Sequence, residues 1–165
     1  MPSFLRDLQQ PEYVHVLINP LPVYGVALGL IALIVALFLR NRAAHITALV
    51  IIFIAAASAW PTAHFGDAAY DRVLSMSDDA GSAWLVSHAH RADVFVWYCY
   101  ALALVSLLAI LLPRKWPRSG LLLTIITLLL SVATLIGGAY VAYAGGKIRH
   151  REFRLEPPPP KPPDR

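Results

Sequence analysis

The chain of 165 residues is strongly apolar: 58% of its residues are hydrophobic and 15% are charged, and its mean hydropathy is +0.58. This composition excludes an ordinary soluble domain and predicts one small membrane domain. The net charge of +4 arises at the ends of apolar segments and in the tail. Such a distribution is typical of membrane-flanking residues, and we expect no nucleic-acid partner. A single cysteine, Cys99, excludes an intramolecular disulfide and a cysteine-based metal centre.

Four segments without Asp, Glu, Lys or Arg reach the length of about 20 residues that a spanning helix requires. In chain order they are Tyr13–Leu39, Ala43–Gly66, Val94–Pro113 and Ser119–Gly146. Two short turns, Arg40–Arg42 and Arg114–Ser119, connect them as antiparallel hairpins. We therefore expect an all-α, integral membrane four-helix bundle in residues 13–150. A tail of residues 1–12 precedes it, and a proline-rich polar tail of residues 151–165 follows it.

Four crossings place both termini on one face of the bundle, which we call the terminal face. The opposite face, the basic face, holds the two turns and five basic residues: Arg40, Arg42, Arg114, Lys115 and Arg118. Basic turns favour the cytoplasmic side, so we expect a multi-pass protein of a bacterial inner membrane with periplasmic termini. Between the second and third spans, Asp67 to Ser87 is predicted to be a polar surface excursion with about one helical turn.

Histidines concentrate at the terminal face. Five of the six lie there, namely His15, His64, His88, His90 and His150, whereas His45 lies alone at the basic face. Imidazoles at a membrane boundary either meet lipid headgroups or form a functional site. His15 and Asn19 share a helical face, and Asp93 lies one turn after His90, where a carboxylate can fix the orientation of an imidazole.

Three hypotheses remain open for this cluster. In the first, His15 and His90 bind a b-type haem as axial ligands, aided by Asn19 and Asp93. In the second, copper or another transition metal is bound by four histidines: His15, His64, His90 and His150. Either site would suit an accessory protein of a bacterial electron-transfer system. In the third, the chain is a cofactor-free structural subunit that contacts lipids and larger membrane subunits, or a second copy of itself.

Catalytic signatures are missing from the sequence. It contains no nucleophile-elbow motif, no zinc-protease motif and no glycine-rich phosphate loop. No acidic residue lies deep within a span, so proton- or ion-coupled transport is also not indicated. We therefore expect a protein that is not an enzyme.

Four short motifs carry a resemblance to a known family. They are INPLPVYG (Ile18–Gly25), WPTAHFGDAAY (Trp60–Tyr70), SHAHRAD (Ser87–Asp93) and GGKIRHREF (Gly145–Phe153). Over residues 13–153 the chain resembles an uncharacterised group of bacterial four-helix membrane proteins, similar to the DUF2231 predicted membrane proteins. The resemblance implies a membrane fold with a site at the terminal face and supplies no activity. Within its first motif, Pro20 stands where the resemblance implies a histidine. In the fourth, Arg149 is expected to pair with Asp67, Asp93 or a haem propionate.

Overall fold

The computed structural model describes residues 3–160, and their side chains from Leu5 onward. All regular structure in this range is helical, and four helical segments are long and apolar enough to cross a membrane. Residues 161–165 of the proline-rich tail lie outside the described part. The all-α, four-helix membrane architecture is thereby confirmed.

The first hairpin contains interrupted helices. Its elements are α1 (Ser3–Asp7), α2 (Pro11–Ile18), a π-helical turn (Leu21–Gly25), α3 (Val26–Leu39), α4 (Arg42–Ala57) and α5 (Ala59–Ser75). Pro22 has no N–H to donate to the carbonyl of Ile18, and Pro61 has none for the carbonyl of Ala57. The chain widens into the π-helical turn at the first position and breaks at Ser58 near the second.

The second hairpin contains two long, continuous helices. α6 (Asp79–Leu111) ends in a 3₁₀ turn (Leu112–Arg114), and α7 (Ser119–Arg149) is followed by a 3₁₀ turn (Arg151–Phe153). α6 packs along α7 and also against α4, so α6 joins the two hairpins.

Glycines set the close approach of α3 to α4. A Cβ atom on Gly25 would lie 2.7 Å from Cβ of Ala55, and one on Gly29 would lie 2.6 Å from Cγ1 of Ile52. The spacing of four residues places both glycines on the same side of α3, as in other membrane helix pairs with small residues at the contact. Around this contact lies the main core, in which Val26, Leu33, Ile52 and Leu102 are fully buried.

The outer surface of the bundle is apolar. Only 22% to 33% of the residues in the most apolar stretch of each span are buried within the protein, and side chains such as Phe38 are 85% exposed. Such a surface fits contact with lipid tails rather than water. The spans contain 29 to 36 residues; at about 1.5 Å per residue they exceed a hydrocarbon core of roughly 30 Å.

The prediction of a polar excursion from Asp67 to Ser87 was wrong. α5 runs to Ser75 and α6 begins at Asp79, so only Met76, Ser77 and Asp78 separate the helices. A second apolar cluster explains this, because Trp84, Leu85, Ala144 and Ile148 pack together there with Tyr70 and Val73. The segment appeared polar in the sequence because its charged residues lie on the outer sides of α5 and α6, where these helices project beyond the apolar part of the bundle.

Candidate cofactor site at the terminal face

Two histidine rings meet at the terminal face. His15 lies on α2 and His88 on α6; their ring centroids are 6.4 Å apart, and the ring planes are inclined by 85°. α2 packs against α5, and α6 packs against α7, so the rings meet between two helix pairs. His88 lies six residues before Val94, about 9 Å above the most apolar part of α6. The pair therefore belongs to the projecting end of the bundle.

The first hairpin fixes His15 with groups from α5. Its Nδ1 lies 2.9 Å from the backbone carbonyl oxygen of Thr62. One turn later stands Gly66, where an added Cβ would lie 3.0 Å from both Cε1 and Nδ1 of the imidazole. The Cε1–Nδ1 edge of the ring thus lies close to the backbone of a glycine, and a larger residue there would press on it.

The second hairpin repeats this arrangement around His88. Its Nδ1 lies 3.1 Å from the carbonyl oxygen of Val141 on α7. Gly145 follows one turn later, and a Cβ on it would again lie 3.0 Å from Cε1 and Nδ1 of the ring. Each hairpin therefore contributes the same half-site. Its first membrane span provides the histidine, and its second span provides a backbone carbonyl and, four residues later, a glycine.

These hydrogen bonds decide which nitrogen of each ring can bind a metal. A carbonyl oxygen only accepts, so Nδ1 of His15 and of His88 must carry the proton, and in the neutral ring Nε2 holds the free lone pair. A backbone carbonyl on the other ring nitrogen is a common arrangement for histidines that ligate metals. No hydrogen bond to either Nε2 occurs among the described residues.

The separation of the rings matches two ligands on opposite sides of one metal ion. Two metal–imidazole bonds of about 2.0–2.1 Å, plus about 1.2 Å from each nitrogen to its ring centre, give roughly 6.4 Å between centroids. The observed distance is 6.4 Å. This centroid separation equals that of two imidazoles on one metal, and the two glycines leave room for the rings themselves.

His90 does not take part in this pair. It is exposed, and a residue two positions from His88 on a helix points to a different side of it. The expected pairing of His15 with His90 is thus replaced by His15 with His88. Asn19 and Asp93, predicted to assist the site, are also exposed.

The four histidines predicted to share a metal ion are not brought together. Within residues 3–160 no group of three or more His, Cys, Asp or Glu side chains is placed to hold one ion. His64 is exposed and stacks on Trp60, with 5.9 Å between ring centroids. His150 is exposed and bonds Glu152 at 2.9 Å. Arg149 donates to the carbonyl oxygen of Met76 at 3.2 Å.

The sequence gives little signal that selects His88. Every residue has a backbone carbonyl, so of the two half-sites only Gly66 and Gly145 are visible in the sequence, and they are two of nine glycines. Whether His88 or His90 faces His15 depends on the rotation of α6 about its axis. The apolar pattern of α6 does not determine this rotation, because the side that contacts lipid is as apolar as the side that contacts protein.

A polar cluster, which we call the latch, joins the start of α6 to the end of α7 at the terminal face, ten residues before His88. Arg154 is 12% exposed; its guanidinium donates two bonds of 2.9 Å to the carboxylate of Asp78 and two of 2.7 Å to the carbonyl oxygens of Lys147 and Ile148. Asp78 in turn accepts from the backbone N–H of Gly81 at 2.7 Å, which caps α6. Arg154 thus joins the end of α7 to the start of α6, and its hydrogen bonds lower the pKa of Asp78.

A buried lysine reinforces the latch. Lys147 is 4% exposed, lies over the rings of Trp84 at 4.4 Å and Tyr143 at 4.0 Å, and pairs with the carboxylate of Glu156. This hydrogen bond lowers the pKa of the Glu156 carboxyl group. The residues after α7 therefore fold back over the second hairpin.

Comparison with known proteins gives no relative. No family model matches the chain, and neither a curated protein nor a solved structure shows significant similarity. The resemblance to the DUF2231 proteins stays a prediction.

Proposed function

We propose that this chain binds b-type haem through His15 and His88 and serves as an accessory of a bacterial membrane electron-transfer system. One observation carries the proposal: the rings of two histidines from different hairpins have their centroids 6.4 Å apart, and each ring has its Nδ1 held by a backbone carbonyl oxygen. Two axial imidazoles are a complete protein donor set for haem iron, because the macrocycle supplies the other four nitrogens. A site with only two protein ligands therefore suits haem better than it suits zinc, which takes three or four.

The chain's own residues have defined roles in this proposal. Thr62 and Val141 fix the protonated nitrogen of each ring through their carbonyl oxygens, and Gly66 and Gly145 admit the rings against the helix backbone. Bound haem would supply reversible one-electron transfer near the membrane surface. The apolar outer surface of the bundle supports lipid as a partner, and larger membrane subunits or a second copy of the chain remain proposed partners.

A transition metal bound by the two imidazoles alone is the second candidate. The same pair of Nε2 atoms favours it, and copper accepts imidazole ligands. A cofactor-free structural subunit is the remaining alternative; it requires neither histidine.

Optical spectroscopy tests the proposal. The full chain, expressed with haem and metals available and purified in detergent, is measured oxidised and dithionite-reduced, with elemental analysis on the same sample. We expect a Soret band that shifts on reduction, and we expect it to be lost in His15→Ala and in His88→Ala. His90→Ala and His64→Ala are the matched controls and should retain it.

Two other outcomes would decide against haem, and a third would keep haem but change one of its ligands. A featureless spectrum with one copper, lost in both histidine variants, would establish the second candidate. A featureless spectrum without metal would leave the structural subunit. A Soret band that survives loss of His88 but not of His90 would restore the pairing first expected from the sequence.

We also propose that the basic face is cytoplasmic, with the termini in the periplasm of a bacterium. The Lys and Arg residues are divided between the two faces, with five on the short turns of the basic face and six flanking the terminal face, so the proposal rests on the absence of acidic residues from the basic face. The six are Arg72, Arg91, Lys147, Arg149, Arg151 and Arg154. At the terminal face several basic residues instead have protein partners, for example Arg72 with Glu12 at 2.9 Å. Alkaline phosphatase fused after Arg165 should be active, and the same reporter inserted at Lys115 should be inactive; the reverse pattern would overturn the orientation.

A further inference from the structure

A cavity opens between the two hairpins at the basic face, far from the histidine pair. It has a volume of about 180 Å³ and is lined by α4, the end of α6 and the turn before α7. Arg42 and His45 contribute polar groups to its wall, and Ile46, Leu49 and Ile110 contribute apolar ones. The cavity thus combines a cationic group with an apolar wall at the level where a helix leaves the membrane.

One side of this cavity is held rigid. The hydroxyl of Thr124 donates to the carbonyl oxygen of Gly120 at 2.8 Å, so its oxygen is left to accept from Nε2 of His45, 3.2 Å away. This contact ties α4 to α7. Asn41 is the N-cap of α4, because its side chain accepts a hydrogen bond from the N–H of Ala44 at 3.0 Å. The side chain of Arg42 is therefore not needed for capping this helix.

The basic charges around the cavity have no counter-charge in the protein. The sequence has no acidic residue between Glu12 and Asp67 or between Asp93 and Glu152. In the described part of the chain, no ion pair involves any of the five basic residues of the basic face. An anion from outside the chain is therefore the natural partner of Arg42.

We propose that this cavity binds the headgroup of an anionic phospholipid. The phosphate would pair with Arg42, and the glycerol backbone would lie against Ile46 and Ile110. At about 30 Å³ per water, the cavity holds roughly six waters, which suits a phosphate and glycerol but not acyl chains. The chains would extend along the lipid-facing sides of α4 and α6. Basic pockets between spanning helices bind anionic lipid headgroups in the same way.

Native mass spectrometry of the detergent-solubilised full chain tests this proposal with phosphatidylglycerol and phosphatidylcholine as probes. We expect one phosphatidylglycerol per chain to be retained in preference to phosphatidylcholine. Arg42→Gln should weaken retention roughly fivefold, since one basic residue near an anionic lipid contributes about that factor. Lys115→Gln is the matched control: it removes the same charge from the same face, but Lys115 does not line the cavity. Its effect should be clearly smaller than that of Arg42→Gln, because Lys115 would act on a lipid in the cavity only through longer-range attraction, which salt screens.

A second variant protects the test against misfolding of the first. Ile110→Trp fills the cavity without changing the charge and should also reduce retention, with unchanged helicity by circular dichroism. Equal retention of both lipids would overturn the proposal, as would equal losses in Arg42→Gln and Lys115→Gln, because the latter would indicate diffuse attraction. Displacement of the lipid by inorganic phosphate would reassign the cavity to a free anion.

Discussion

The two hairpins supply equivalent halves of the histidine site from unequal helices. The first hairpin is interrupted near Pro22 and Pro61, whereas α6 and α7 run without a break. Each nevertheless places one imidazole against a glycine and under a carbonyl oxygen at nearly the same distances. The local half-site thus depends on a carbonyl and a glycine one turn apart, and not on the straightness of the helices that carry them.

The two half-sites differ in the ion pairs that stabilise the ends of their helices. The second hairpin has the latch of Asp78, Lys147, Arg154 and Glu156 at its end, whereas the first has the pair of an exposed Arg72 with a partly buried Glu12. A partly buried, multiply bonded guanidinium holds two helix ends more firmly than an exposed ion pair does. We therefore infer that His88 has the more rigid support, and that His15 adapts more readily when a ligand enters.

Substitution of the two glycines that contact the imidazoles should have the largest effect on the half-sites. Gly66→Ala and Gly145→Ala each place a methyl group 3.0 Å from an imidazole, and such overpacking costs about 1–3 kcal/mol. We expect the affinity for haem to fall roughly tenfold in each variant, with the larger loss in Gly145→Ala because its half-site is the more rigid. Haem titration followed at the Soret band measures this.

Gly146→Ala is the matched control for these variants. A Cβ there would meet Cδ2 of Phe153 at an ordinary 3.7 Å, so haem affinity should not change. If Gly146→Ala and Gly145→Ala weakened binding equally, the close contact of His88 with Gly145 would have no particular role.

The latch gives the next largest effect. Arg154→Ala removes the bonds to Asp78 and to two carbonyl oxygens at the end of α7, leaving those acceptors poorly satisfied. We expect the Tm in detergent to fall by several degrees. Arg151→Ala, which removes a 79% exposed partner of the same carboxylate, should lower the Tm much less. Similar shifts in both variants would contradict the central role of Arg154.

The pH dependence of the latch is a smaller effect with a definite sign. Because Arg154 lowers the pKa of Asp78 below its ordinary 3.8 in the folded protein, the carboxylate contributes stability above that value. The contribution is lost as the pH falls through the lowered pKa. The wild type should therefore be more stable than Asp78→Asn at neutral pH, and their Tm values should converge as the pH falls below 3.8 and through the lowered pKa of Asp78. A difference that stayed constant over this range would exclude the ionised carboxylate as its source.

The sequence predicts the fold well and the site only in part. Long uncharged segments and short basic turns determine four crossings and their pairing, because a membrane leaves few other arrangements. A loop was wrongly predicted from the polar residues between Asp67 and Ser87, because helices that project beyond the lipid can also carry charges on their outer sides.

For the candidate site, the sequence prediction paired His15 with His90, whereas the structure brings His15 next to His88. Two histidines two residues apart differ by about half a turn of helix, and only the packing of α6 on α7 decides which of them faces inward. The exposure of His64 and His150 could likewise not be predicted from the sequence. Each lies near the end of an apolar segment, where the apolar pattern no longer determines which side of the helix faces the protein.

Electron paramagnetic resonance of the oxidised, haem-loaded protein tests the central claim most directly, because it reports how many imidazoles bind the iron and how their planes are oriented. Two axial histidines with ring planes inclined by 85° predict a low-spin ferric signal of the type with a large maximum g value, and His88→Ala should convert it to a high-spin signal or abolish haem binding. A high-spin signal in the wild type, or a low-spin signal unchanged by His88→Ala, would contradict the claim that His15 and His88 form one axial pair.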